Sequence, residues 1–306
     1  MKAVFTTKYG PPEVLIIVEV DKPLPKKNEL LIKIKAVAVT SGDCRMRSFN
    51  VPLSLWLPAR LSIGLTKPRN PIQGLWLAGE VEETGAAVSK FKVGQQIYGR
   101  TLDLKLGANA EYICLPENCI LGLKPQNLTY EESVSLPFGG ITALYFLRKT
   151  NIKKGDKVLI YGASGSVGIS AVQLGKYFGA EIHAVCSNEN IELVKKYGAD
   201  KAIDYKKENI NDIKDKFDVV FDAVGKINKS ISKKLLKEKG NYISILTSGH
   251  AQGGRDELIY LTELAEKNFL KPVIDKCYPF EQIVEAHRYV DKGHKKGNVV
   301  ISLNNE

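Results

Sequence analysis

The stretch Lys157-Val158-Leu159-Ile160-Tyr161-Gly162-Ala163-Ser164-Gly165-Ser166-Val167-Gly168 constrains the fold more than any other part of the chain. An apolar strand runs straight into a glycine-rich turn, and a helix pattern opens at once. Val167, Ala171, Leu174 and Phe178 recur at helical spacing until Gly179 breaks the pattern. A second strand, Glu181-Ile182-His183-Ala184-Val185, completes a βαβ unit of about thirty residues. The turn reads A-x-G-x-x-G, from Ala163 through Gly165 to Gly168. In such a turn the glycines let the backbone approach a pyrophosphate, and the helix N-terminus offers it N–H groups and a positive dipole. The pattern predicts a dinucleotide site on Ala163, Ser164, Gly165, Ser166, Val167 and Gly168. A strand-turn-helix without a ligand is the competing reading; the completed βαβ context weighs against it.

The alternation continues beyond this unit. Strands are expected at 157–161, 181–186, 201–204, 217–222 and 241–246, which argues for a doubly wound parallel sheet. Thr129 and Glu132 form a capping-box start for a helix ending near Pro137, and a second helix is expected over Thr142–Leu147. Before Leu128 the chain is β-rich. Leu30–Val39, Ala78–Glu82 and Gln96–Gly99 read as strands, with turns at Gly85, Gly94 and Gly107, which suggests a barrel-like domain. Near the C-terminus, Lys271–Asp275 and Gly297–Leu303 read as strands around an amphipathic helix, Phe280–Val290.

Composition narrows the function. The 306 residues carry a formal charge of +10, which invites a nucleic-acid reading. The lysines, however, occur as scattered pairs such as Lys26-Lys27, Lys153-Lys154 and Lys295-Lys296, as on a solvated surface. Nucleic acid is therefore not expected as a partner. The longest apolar run, Val51–Leu65, is broken by Pro52, Pro58 and Arg60, so no membrane span is expected. Five dispersed cysteines and the absence of a signal-peptide pattern predict a reducing, cytoplasmic setting. No H-E-x-x-H and no C-x-x-C pair is present, so no metal site is expected. The four histidines lie late and apart, and no nucleophile–base pair can be argued from them.

Selectivity rests on the residues just past the second strand. Cys186 and Ser187 stand where a site selective for NAD carries an acidic residue on the ribose 2′-OH. Ser187 can instead donate to a 2′-phosphate, with Tyr205 and nearby lysines completing the pocket, or it can cap the next helix. Glu189 adds an opposing negative charge. Asp222 ends the strand Phe217–Asp222 and either touches the ribose or caps the next turn.

In order along the chain, several motifs resemble the medium-chain dehydrogenase/reductase superfamily, in its zinc-free quinone oxidoreductase branch. They are Met1-Lys2-Ala3-Val4 with Tyr9-Gly10-Pro11-Pro12, Ala78-Gly79-Glu80-Val81 with Gly85, Phe91-Lys92-Val93-Gly94, Leu136-Pro137-Phe138-Gly139-Gly140, Gly162 to Gly168, and Lys296-Gly297-Asn298-Val299-Val300. The resemblance spans nearly the whole chain. It implies a GroES-like catalytic domain over residues 1–126, a Rossmann cofactor domain over 127–266, and a return to the first domain over 267–306. It also implies NADPH as cofactor and hydride transfer to a quinone or an α,β-unsaturated carbonyl. By position, Thr142 would face the nicotinamide, Ser41 and Asp43 would lie near the substrate, Ser187 and Tyr205 would flank the 2′-phosphate, and Asn298 would close the cofactor site. Zinc-dependent relatives carry ligands at about Ser41 and at about Gln73-Gly74-Leu75, and neither set is present here.

Three departures matter. Trp76 stands where relatives often carry an acidic residue, and Glu189 where close relatives often carry Arg or Lys. The segment between Ile245 and Asp256 is too short to supply the sixth Rossmann strand, through which dimeric relatives pair. A monomer or a non-standard homodimer is therefore expected. A cofactor-binding redox-sensing or interaction protein with little turnover is the alternative function.

Overall fold

The computed structural model describes residues 1–53, 56–101 and 106–303. It divides into two units, one of residues 1–135 with 274–306 and one of residues 136–273.

The first unit is β-rich. Strands β1 (Lys2–Thr6) and β2 (Leu15–Glu19) form an antiparallel pair. Strand β3 (Glu29–Val39) leads into helices α1 (Ser41–Ser48) and α2 (Trp56–Ile63). Strands β4 (Trp76–Thr84), β5 (Gln96–Arg100), β6 (Tyr112–Pro116) and β7 (Leu121–Leu123) come next. Helix α3 (Tyr130–Lys149) then runs across the division between the units.

The second unit alternates strand and helix: β8 (Lys157–Tyr161), α4 (Ser166–Tyr177), β9 (Glu181–Cys186), α5 (Ile191–Lys196), β10 (Lys201–Asp204), β11 (Phe217–Asp222), α6 (Lys229–Leu235), β12 (Leu236–Ser244) and α7 (Arg255–Glu266). The chain returns to the first unit through β13 (Ile274–Pro279), α8 (Ile283–Asp291) and β14 (Asn298–Ser302).

In the first unit β3 is the hub. It pairs antiparallel with β6 over Glu29–Lys33, with β4 over Leu30–Val37 and with β14 over Ala36–Val39. With neighbours on both sides, its near-continuous aliphatic sequence is explained: Leu30, Leu31 and Ile32 are fully buried. The C-terminal β14 thus fills a place beside β3 that the N-terminal strands leave, which is why the two chain ends fold as one unit.

In the second unit the sheet is parallel, in the order β10-β9-β8-β11-β12. Four of the expected strands, β8 to β11, carry the bounds read from sequence. The fifth, β12, starts five residues earlier than expected, because Leu236 already pairs with Phe217; Lys237–Gly240 then bulge opposite Asp218 before Asn241 resumes the ladder beside Val219. Residues 245–254 contain no strand, and among the described residues nothing pairs with the outer edge of β12.

One expectation is corrected. The region 130–149 is a single helix with Pro137 inside it, not two helices. Proline lacks the N–H that would bond the Ser133 carbonyl, yet the helix runs on through it to Lys149.

A buried polar cluster fixes α1 against α8. The Arg47 guanidinium donates to Gly10 O (3.1 Å), to His287 Nδ1 (3.1 Å) and to Asp291 Oδ2 (2.7 Å). The Cys44 thiol packs 3.6 Å from the same imidazole nitrogen. Burial, and then the neighbouring guanidinium, hold His287 down to about 3, while Asp291 pulls the other way. In the unfolded chain this imidazole takes a proton near pH 6.5; in the folded chain it stays neutral. Its contribution is complete above about pH 6.5 and is lost as pH falls toward 3, by up to about 1.4 kcal/mol per unit. We expect His287→Gln to flatten the acid side of the stability profile between pH 6.5 and 4. Urea unfolding across that range checks this; parallel profiles for the two proteins would refute it.

Candidate active site

The glycine-rich turn links β8 to α4, and each glycine has its own reason. Gly162 has φ +76°, a left-handed conformation that glycine adopts without strain. At Gly168 a Cβ would stand 2.1 Å from the Gly162 carbonyl oxygen, so α4 lies directly on the turn. Gly165 differs from both. Its backbone is extended, and a Cβ there would meet nothing of the protein closer than 3.6 Å. The fold does not require glycine at 165, and a ligand approaching the backbone closely would.

Gly165 is also the N-cap of α4. No side chain caps that helix, and no acidic residue lies in its first turn. An uncapped, acid-free N-terminus of a twelve-residue helix beside a bare glycine is a site suited to an anion. The residues present therefore fit a dinucleotide pyrophosphate. Ala163 serves through its backbone: its side chain is buried and its N–H donates to Val185 O. Ser164 and Gly165 are half-buried, and Ser166, Val167 and Gly168 are buried in the first turn of α4.

Strand register brings the next residues together. Cys186 and Asp204 are paired at the ends of β9 and β10, and the Tyr205 N–H donates to Cys186 O. Ser187 and Tyr205 thus leave adjoining strands side by side. The Tyr205 ring lies 6.4 Å from Tyr161 at the end of β8. Lys206 Nζ stands 3.8 Å from Glu189 Oε1, an exposed pair that offsets the acidic charge read from sequence. Asn190 bridges the two turns: its Nδ2 lies 3.0 Å from Ser164 Oγ and 3.1 Å from Ser187 Oγ. The sequence reading missed Asn190; Lys206 is one of the lysines it placed near Tyr205. An asparagine ahead of a helix pattern reads as a cap, yet this one makes no side-chain cap bond.

Of the two readings of Asp222, the ribose contact is set aside and the cap of the next turn is seen. It is fully buried and accepts from the backbone N–H groups of Val224 (3.1 Å), Gly225 (2.8 Å) and Ile227 (2.7 Å). Its carboxylate is committed to the turn after β11 and has no exposed surface for a ribose.

The remaining expected residues fall in several elements. Ser41 is the exposed first residue of α1. Asp43 closes a capping box: its Oδ2 accepts from Thr40 N (2.8 Å) and Thr40 Oγ1 (2.5 Å). Burial raises its carboxyl above the ordinary range, while the Thr40 bonds oppose that rise. Thr142 lies in the body of α3, not at a helix start, and its hydroxyl donates to Phe138 O at 2.7 Å. Asn298 is buried at the start of β14. Trp76 is buried at the start of β4.

At the positions where the resemblance puts zinc ligands, Gln73 is bonded to Asn70 O and Gly74 sits at φ +95° against Asn109. Among the described residues, no group of three or more His, Cys, Asp or Glu side chains is placed to hold a metal ion. Among them, too, no helix is long and apolar enough to cross a membrane.

A parallel sheet with an anion-ready helix N-terminus beyond β8, joined in one chain to a β-rich unit built from both chain ends, defines a dinucleotide-dependent oxidoreductase fold. The chain belongs to the medium-chain dehydrogenase/reductase superfamily. Residues 26–125 match the alcohol dehydrogenase GroES-like domain, and residues 166–265 match the zinc-binding dehydrogenase domain. It is 32% identical to an NADPH-dependent alkenal/one oxidoreductase of Arabidopsis thaliana, over 98% of this chain and 79% of that protein. It is 35% identical to a 2-methylene-furan-3-one reductase of Solanum lycopersicum over the same shares. Among solved structures, a quinone oxidoreductase from Coxiella burnetii superposes with a TM-score of 0.87 at 28% identity, covering 99% of each chain.

The open space at Gly165 yields a direct test. Gly165→Val should leave the thermal unfolding midpoint within a few degrees of wild type and weaken NADPH binding by about a hundredfold or more. Calorimetric titration of the variant measures this, and unchanged affinity would remove the turn from the cofactor site.

Proposed function

We propose that this protein is an NADPH-dependent oxidoreductase that reduces a quinone or an α,β-unsaturated carbonyl without a metal ion. The observation that carries the reading is the anion-ready turn at Gly165 together with the Ser187–Tyr205–Lys206 cluster. The names of the relatives supply the substrate class. When bound, NADPH supplies the hydride. The turn and the α4 N-terminus bind the pyrophosphate, and Ser187, Tyr205 and Lys206 receive the 2′-phosphate. From the family resemblance, Thr142 faces the nicotinamide, Ser41 lies near the substrate and Asn298 closes the cofactor site. Asp43 acts by holding the first turn of α1, and with it Ser41, through the Thr40 capping box. Neither Ser41 nor Gln73-Gly74-Leu75 offers a thiolate or imidazole, which supports metal-free chemistry. All five cysteines are free, in keeping with a reducing cytoplasm. Among the described residues the outer edge of β12 is unpaired, which supports a monomer or a non-standard dimer.

Turnover assays with NADPH against a quinone series and an enone series test the activity. We expect turnover with at least one series and full activity after strong chelation. Cofactor binding without turnover on either series would favour a redox-sensing role, and activity lost to chelator and restored by zinc would overturn the metal-free reading.

Cofactor choice depends on charge at the 2′-phosphate. Glu189→Arg replaces an acid with a group that pairs bidentately with phosphate. The variant should bind NADPH about three- to tenfold more tightly and NADH no better. Equal changes for both cofactors would show that residue 189 does not face the 2′ position.

A further inference from the structure

We propose that Asn190 sets the preference for NADPH by orienting two serine hydroxyls as donors toward the 2′-phosphate. The inference rests on the cofactor reading above and adds a positioning residue to it.

Asn190 is 7% exposed, at the junction between the turn after β9 and α5. Its carboxamide carries two N–H donors. They meet two acceptors, Ser164 Oγ at 3.0 Å and Ser187 Oγ at 3.1 Å. These serines belong to different turns: Ser164 lies in the pyrophosphate turn after β8, and Ser187 comes directly after β9. A hydroxyl has one proton and two lone pairs. Once each oxygen accepts from Asn190, its proton must point away from the amide. Both serines are half-buried, and among the described residues no protein acceptor takes either proton. Two O–H donors are therefore turned away from the amide, that of Ser187 on the turn beside Tyr205.

A dianionic phosphate accepts such bonds, and a ribose 2′-hydroxyl does not require them. The arrangement supplies donor geometry where Glu189 weakens the net positive charge. Asn190 itself is too deep to serve as a ligand, and its Oδ1 is buried without a partner. Serving neither as a helix cap nor as a cofactor contact, the side chain is left with the serine pair as its one task.

The test measures NADPH and NADH dissociation constants side by side in wild type, Asn190→Leu, Asn190→Asp, Ser187→Ala and the Asn190→Leu/Ser187→Ala double variant. Leu removes both donors at similar volume. Asp keeps the shape but accepts the serine protons, reversing the hydroxyls. We expect each Asn190 variant to lose NADPH affinity about tenfold while NADH affinity stays within about twofold. The double variant should lose less than the sum of its parts, because Asn190 acts through Ser187. Equal losses for both cofactors, in Asp as well as in Leu, would assign Asn190 a merely structural role and overturn the proposal, as would unchanged NADPH affinity. A wild type without NADPH preference would instead remove the cofactor reading on which the proposal stands.

Discussion

The second unit depends on backbone meeting backbone. At Gly168 a Cβ would stand 2.1 Å from Gly162 O, and at Gly139 a Cβ would stand 2.3 Å from Ser166 O. Helix α4 therefore rests on the turn after β8, and α3 rests on the first turn of α4 at Ser166. This double contact holds the α4 N-terminus at the carboxyl end of the sheet. A glycine-free version of either contact would separate helix from turn by about the width of a methyl group. The N–H groups that make the anion site are thus placed by packing that lies behind them. Gly165, alone in open space, is left for what comes from the front.

The same unit leaves one edge exposed. Strand β12 carries Lys237, Glu238 and Lys239 in succession, all exposed, before its buried end at Ile243 and Ser244. Charges of both signs along an edge discourage pairing with another strand. Lys237 is held by Asp218 of the neighbouring β11. At its far end the Ser244 N–H donates to Ser248 Oγ, so the turn after the strand closes over its last residue. The charge thus sits where Lys237–Gly240 bulge opposite Asp218, and a turn closes the end of the strand.

Much of this was legible in the sequence, and the failures have physical causes. Strands β8 to β11 were readable because each is a short apolar run ended by Gly, Asp or Ser. Pro137 misled, since a proline usually breaks a helix; here the one lost bond does not end a helix of 20 residues. Asp222 was ambiguous in another way. A carboxylate at the end of a parallel strand suits a ribose contact or a cap equally. Three backbone N–H groups in the turn beyond it claim it, and the sequence alone does not count those donors. Asn190 was invisible because its partners come from two segments, residues 164 and 187, that only the βαβ crossover brings together.

Glu189 shows how a charge read in one dimension changes meaning in three. In the sequence it stands alone, two residues beyond Ser187, and opposes a phosphate. In the fold, β10 runs parallel to β9 with Asp204 beside Cys186, so the residues just past β10 return to the neighbourhood of Glu189. Lys206 then lies 3.8 Å from its carboxylate. An exposed pair of this kind contributes little to stability, about 1 kcal/mol or less. Its consequence is electrostatic: the lysine is held beside the acid and offsets its charge. With charge nearly balanced there, the proposed discrimination between the two nicotinamide cofactors would fall to the hydroxyls of Ser164 and Ser187. A neutral donor pair is weaker than an arginine fork but less affected by salt. Such a site keeps a preference for the phosphorylated cofactor while holding it less firmly than a basic pocket would.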